Sequence, residues 1–134
     1  MNWRFVADLR TLAAESDVLI LAAAAGAENA GAVDGEVLAA LGERGVLVNV
    51  ARGSLVDQPA LIAALAARRI AGAGLDVFAD EPAVPAALIR DDVVLSPHQG
   101  SATIEARAAM AAMVVANLNA HFAGKPVPGL VALP

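Results

Sequence analysis

Four short, mostly apolar runs punctuate the chain: Val18 to Leu21, Val46 to Val50, Ala73 to Phe78 and Val93 to Leu95. None shows the period-two alternation of a half-covered strand, so each predicts a buried strand covered on both faces. Helical stretches fill the gaps. Leu9, Leu12 and Ala13 mark a short helix leading into the first run. Asp34 is placed to cap a helix over Gly35 to Leu41, stopped by Gly42. Asp57 caps the next, with Pro59 near the first turn, where a missing N–H costs nothing, and Leu61, Ile62 and Leu65 on one face. That helix ends around Arg68-Arg69. The longest helix runs from Ser101 or Thr103 to Phe122, with Ile104, Met110, Met113, Val114 and Leu118 as apolar positions. Gly124 and Pro126 end it.

Strands alternating with helices predict an α/β fold with a parallel sheet and right-handed crossovers. A chain that starts with a helix and then Val18 to Leu21 would leave the apolar edge of that strand open. The pattern therefore reads as the second half of a Rossmann-like, doubly wound sheet of about four strands with a long C-terminal helix. Residues 1–123 form this partial domain, and the Pro-rich tail 124–134 is expected to be extended and loosely ordered.

Composition narrows the function. The 134 residues suit one domain at most. Hydrophobic residues make up 58%, but 34 residues are Ala, so the supply of large core side chains is smaller than that figure implies. A net charge of −5 argues against nucleic-acid binding, which needs a basic face. With no Cys there is no disulfide, thiolate metal site or Cys nucleophile, and no metal site is expected. The most apolar stretch, Val18 to Ala25, is far short of the roughly 20 residues of a membrane span. Met1-Asn2-Trp3-Arg4 does not open a signal peptide, so a cytoplasmic location is expected.

The polar residues that need explaining follow the strands, where α/β folds place ligands. Arg52, in Asn49-Val50-Ala51-Arg52-Gly53-Ser54, could grip a carboxylate through two parallel hydrogen bonds, or be a surface arginine at a turn. Asp76 lies inside an apolar run, where a carboxylate needs a partner or a ligand amide. Glu81 precedes Pro82 and is expected to be extended, while Asp80 reads as a solvated loop residue. His98, in Ser96-Pro97-His98-Gln99-Gly100-Ser101, stands between a strand end and the long helix and carries an imidazole, which titrates near neutral pH. His121, near the end of that helix, reads as a solvated or dipole-stabilising residue. Gly72-Ala73-Gly74 is no phosphate loop: it precedes a strand, and Val77 stands where a third glycine belongs.

Three segments, Val48 to Asp57, Gly74 to Pro82 and Ser96 to Ser101, together resemble the D-isomer-specific 2-hydroxyacid dehydrogenases, especially the hydroxypyruvate/glyoxylate/2-ketogluconate reductase branch. The resemblance covers nearly the whole chain and implies an oxidoreductase using NAD or NADP. By motif, Arg52 would bind the carboxylate and carbonyl of a small 2-oxo acid. His98 would be the general acid/base, and Glu81 would pair with and orient it. Asp76 would accept from the nicotinamide carboxamide. Val50, Ala51 and Arg52, with His98, Gly100 and Ser101, would line the nicotinamide pocket. The family's glycine-rich fingerprint and ribose-reading residue have no counterpart here, nor does most of the substrate domain toward which the tail would return. Ala22 to Ala25 stand where the family has a polar turn against the cofactor. Family members are usually dimers, so a homodimer is implied by resemblance alone. The competing expectation is a truncated, non-catalytic fragment or interaction module of the same family.

Overall fold

The computed structural model describes residues 4–131. The four apolar runs become four strands, β1 (Val18–Leu21), β2 (Val46–Asn49), β3 (Gly72–Leu75) and β4 (Val93–Leu95). They form one parallel sheet in the order β1-β2-β3-β4. Helix α1 (Leu9–Ala14) leads into β1, α2 (Gly35–Leu41) joins β1 to β2, and α3 (Gln58–Ala66) joins β2 to β3. The long helix α4 (Ile104–Phe122) lies in a second compact unit that begins at Gln99.

Helix starts follow local chemistry. The Asp34 carboxylate accepts from the N–H groups of Glu36 and Val37, and the Asp57 carboxylate accepts from Ala60. Each thereby satisfies donors that a first turn leaves unpaired. Thr103 does the same for α4 by accepting from Ala106. At the end of α3, Arg68 takes a left-handed backbone (φ 54°), and the Arg69 N–H closes onto the Ala64 carbonyl at 2.8 Å. This is the turn that glycine usually supplies.

The core is built on one face of the sheet. In register, Leu19, Leu47, Ala73 and Val93 form a buried row against Ala13, Leu38, Leu41, Leu61 and Leu65 of the helices. The alternate row does not follow the sequence expectation. Ile20 is 60% exposed and Val94 74%, so these strands are not covered on both faces within residues 4–98. Strands laid down one after another by crossovers of one hand put all their helices on one side. The uninterrupted apolar runs thus mark a face that α1, α2 and α3 leave open.

The third run is also shorter as a strand than its sequence suggests. Pairing stops at Leu75, and Val77 and Phe78 are buried as loop residues. The segment from β3 to β4 carries no α-helix, only a single turn at Ala86–Leu88 that buries Leu88. Arg90 closes this segment by gripping Asp92 at 2.7 and 2.8 Å and donating to the Leu65 carbonyl at 3.0 Å.

In the second unit no side chain of α4 is buried. His121 stands in its last turn and packs edge-on against Phe122. The tail is described over residues 124–131. It turns back on the helix, with Lys125 N–H donating to Ala120 O at 2.9 Å and Gly129 N–H to the Asn117 side chain at 2.9 Å.

Candidate active site

Parallel register brings the carboxyl ends of β1, β2, β3 and β4 to one side of the sheet, and the candidate residues of residues 4–98 follow those ends. Asn49 is the last residue of β2, and its side chain points to the buried side. Its Oδ1 accepts from Ala51 N–H at 3.0 Å and its Nδ2 donates to the Arg52 carbonyl at 2.9 Å. The Arg52 Nη1 donates to the Ala51 carbonyl at 2.6 Å. Val50 is half exposed and Ala51 buried.

Asp76, one residue past β3, is buried, and its N–H donates to the Asn49 carbonyl at 3.0 Å. Glu81 stands directly before Pro82. It lies in a turn closed by Ala83 N–H donating to Asp80 O at 2.9 Å, with Pro82 in cis at the third position. The turn aims the Glu81 carboxylate back: Oε1 accepts from Phe78 N–H at 3.0 Å and Oε2 meets His98 Nδ1 at 2.7 Å. The pair is about one-third to two-fifths exposed, 34% at Glu81 and 43% at His98. The His98 hydrogen bond, then the Phe78 N–H and the positive charge of Arg52, hold the Glu81 carboxyl below its ordinary range.

His98 adopts a left-handed backbone (φ 55°) just past β4, where Ser96 N–H still donates to the Leu75 carbonyl at 2.9 Å. A non-glycine residue held there signals a local constraint. With Nδ1 committed to Glu81, the opposite ring nitrogen, Nε2, is the one that can serve a substrate. Glu81 and His98 are thus in contact, and Arg52 is near enough for its charge to act on the Glu81 carboxylate. Gly100 and Ser101 belong to the second unit, in the turn before α4, where Ala102 N–H donates to Gln99 O at 3.0 Å.

Three supporting residues have contacts that the sequence alone did not show. Asn49 shapes the Arg52 turn. Gly53 lies against the backbone of Phe78 so closely that a Cβ there would sit 2.0 Å from the Phe78 carbonyl atoms. Gln58, at the start of α3, accepts from Ala79 N–H at 3.2 Å and steadies the segment leading to Glu81. Asn49 and Gly53 sit inside the Val48 to Asp57 motif, which was the available signal; Gln58 had none. Among the described residues no cluster of His, Asp or Glu could hold a metal, and no helix is long and apolar enough to cross a membrane.

A second feature of this edge is a cleft of about 480 Å3 lined by Ala22 to Ala25, Val50, Ala51 and Arg52. Its five alanines, Ala22 to Ala25 and Ala51, offer methyl groups and backbone in place of side-chain donors, beside Val50 and Arg52.

Comparison with known proteins places this geometry. The chain is 47% identical over 127 residues to hydroxyphenylpyruvate reductase of Plectranthus scutellarioides, covering 94% of this chain and 41% of that protein. It is 52% identical over 122 residues to 2-ketogluconate reductase of Gluconobacter oxydans, covering 90% and 39%. The crystal structure of an NADPH-dependent glyoxylate/hydroxypyruvate reductase from Sinorhizobium meliloti, in complex with NADP and malonate, superposes with a TM-score of 0.94. That protein is 44% identical, over 98% of this chain and 42% of its own. The chain thus spans about two-fifths of the length of these relatives. The profile of the D-isomer specific 2-hydroxyacid dehydrogenase NAD binding domain matches residues 1–100, and the chain belongs to that family.

Proposed function

We propose that this chain supplies the catalytic half of the nucleotide domain in an NAD- or NADP-dependent oxidoreductase. The reaction is reduction of a small 2-oxo acid, of the hydroxypyruvate or glyoxylate class, to the D-2-hydroxy acid, and its reverse. The observation that carries this is the Glu81–His98 pair, closed at 2.7 Å, with the charge of Arg52 acting on the same carboxylate. The cleft beside Ala22 to Ala25 fits the flat nicotinamide end of such a cofactor, offering it backbone groups in place of side-chain donors.

When bound, the reduced nicotinamide supplies the hydride that the carbonyl carbon accepts. The chain's own residues do the rest. Arg52 binds the substrate carboxylate and carbonyl through its planar guanidinium and fixes their orientation. His98 gives the proton from Nε2 to the carbonyl oxygen as the C–H bond forms, completing the hydroxyl group, and regains it from water. Glu81 accepts from His98 Nδ1–H and holds the ring in place. Asp76 accepts from the nicotinamide carboxamide and sets which ring face is presented, beside Val50 and Ala51. A cytoplasmic homodimer completes the proposal, on the family resemblance.

In the catalytically competent protein, His98→Ala should cut kcat by 100-fold or more, on the order expected for general acid–base catalysis, while NADPH affinity stays within about twofold. Arg52→Lys should raise the KM for glyoxylate about tenfold or more, because an ammonium lacks the fork. An unaltered rate in the first variant, or wild-type kinetics in the second, removes that residue from its role. The exposed row at Ile20 and Val94 favours a second reading, a non-catalytic fragment or interaction module. Micromolar NADPH binding by the monomeric chain in isothermal titration would argue against it.

A further inference from the structure

We propose that Asn49 is a positioning residue that aims the Arg52 guanidinium; this rests on the assignment of Arg52 to the substrate carboxylate. Asn49 occupies a core-facing position, in register with Leu21 and Leu75, and is only 1% exposed. A leucine would fill that position without desolvating an amide, and a buried amide is costly unless its bonds are made. Both ends of the Asn49 amide are satisfied, and both by the turn that presents Arg52: Oδ1 by Ala51 N–H at 3.0 Å, Nδ2 by the Arg52 carbonyl at 2.9 Å.

The Ala51 peptide links this amide to the guanidinium. The Ala51 N–H and the Arg52 carbonyl, both held by Asn49, belong to the two peptide groups that flank the Ala51–Arg52 peptide. This peptide is thus clamped from either side, and its carbonyl holds Arg52 Nη1 at 2.6 Å. Amide, peptide and guanidinium form a closed circuit through Arg52's own backbone. The Nε–Nη2 edge, whose two N–H groups run parallel and match a carboxylate, is a different edge of the same planar group. Pinning Nη1 therefore fixes where that fork points. The Asn49 carbonyl meanwhile accepts from Asp76 N–H at 3.0 Å, so one residue sets the register of two neighbouring site positions.

The test uses the isotope-labelled full chain without substrate, comparing wild type, Asn49→Asp and Asn49→Ala by NMR. Asn49→Asp keeps the acceptor for Ala51 N–H but loses the donor to the Arg52 carbonyl. Asn49→Ala loses both. In Asn49→Asp the Arg52 Nε–Hε resonance should move while Ala51 amide exchange stays slow. In Asn49→Ala the Ala51 amide should exchange at least tenfold faster, and the Arg52 resonance should approach that of a free arginine. The amides of Leu47 and Leu75 report whether the sheet survives. If Asn49→Ala does not fold, Asn49→Asp decides the matter. If neither folds, wild-type Asn49 side-chain NH2 protons that exchange as freely as an exposed amide overturn the proposal, and retarded exchange supports it.

An Arg52 resonance unchanged in either folded variant overturns the proposal, because a merely structural Asn49 would lower the unfolding midpoint and leave the guanidinium where it is. Titration with oxamate, an analogue of a 2-oxo acid, separates this from the functional reading. If oxamate leaves wild-type Arg52 unmoved, the substrate assignment falls, while the substrate-free spectra still decide whether Asn49 aims the guanidinium.

Discussion

Gly53→Ala tests whether the loop carrying Arg52 and the loop carrying Glu81 are one mechanical unit. A Cβ at residue 53 would lie 2.0 Å from the carbonyl carbon and oxygen of Phe78 and 2.6 Å from Ala79 N. Ordinary contact begins at 3.4 Å, so one backbone segment must move by about 1.4 Å. These neighbours are main-chain atoms, so no side chain can rotate out of the way. Phe78 is itself tied down, since its N–H donates to Glu81 Oε1 at 3.0 Å, and its neighbour Ala79 N–H donates to Gln58 at 3.2 Å. Overpacking a tight site costs about 1–3 kcal/mol, and loosening a partly exposed, charge-assisted bond adds about 1 kcal/mol. The expected loss is about 2–4 kcal/mol, or a Tm lower by roughly 6–15 °C for a chain of this size. The assay is thermal unfolding followed at the Leu47 and Leu75 amides, which report on the sheet, with the Phe78 amide and His98 ring signals read before unfolding. A Tm within about 2 °C of wild type would refute the packing argument. A large loss of Tm with unchanged Phe78 and His98 signals would refute the coupling between the two loops.

Two further outcomes follow from the same geometry. Arg68 holds a left-handed backbone at the end of α3 (φ 54°), which costs a side-chain-bearing residue roughly 1–2 kcal/mol. After the entropy glycine loses on folding, Arg68→Gly should gain about 0.5–1 kcal/mol, read as a higher urea midpoint with an unchanged slope. The Glu81 carboxyl is held below its ordinary range, first by His98 and next by Phe78 N–H. Its stabilising contribution is therefore present above the ordinary glutamate pKa and is lost as pH falls through the lowered folded-state value. Unfolding midpoints measured from pH 7 down to about 3 should fall more for wild type than for Glu81→Gln, and parallel curves would contradict this assignment.

The site was legible because of a property of parallel sheets. Once β1, β2, β3 and β4 are recognised as parallel, the segments that leave them start from the same edge, which puts Arg52, Asp76 and His98 at one end of the sheet without knowledge of their contacts. Glu81, six residues beyond β3, reaches His98 only through its turn. The helix starts were legible for a local reason, since Asp34 and Asp57 cap turns only two or three residues away. What escaped depends on distance along the chain. Gly53 matters because of Phe78, and Gln58 because of Ala79, and neither partner is visible in a window of local sequence. Val77 and Phe78 show a different failure: they are buried like strand residues but lie beyond the last pair of the ladder, because apolar character reports burial and not hydrogen bonding. The open row at Ile20 and Val94 carries the same lesson further. A continuous apolar run says that both faces of a strand avoid water, and it does not say what covers the second face. Within residues 4–98 the crossovers place every helix on the other side, so the run points to a covering element that α1, α2 and α3 do not provide.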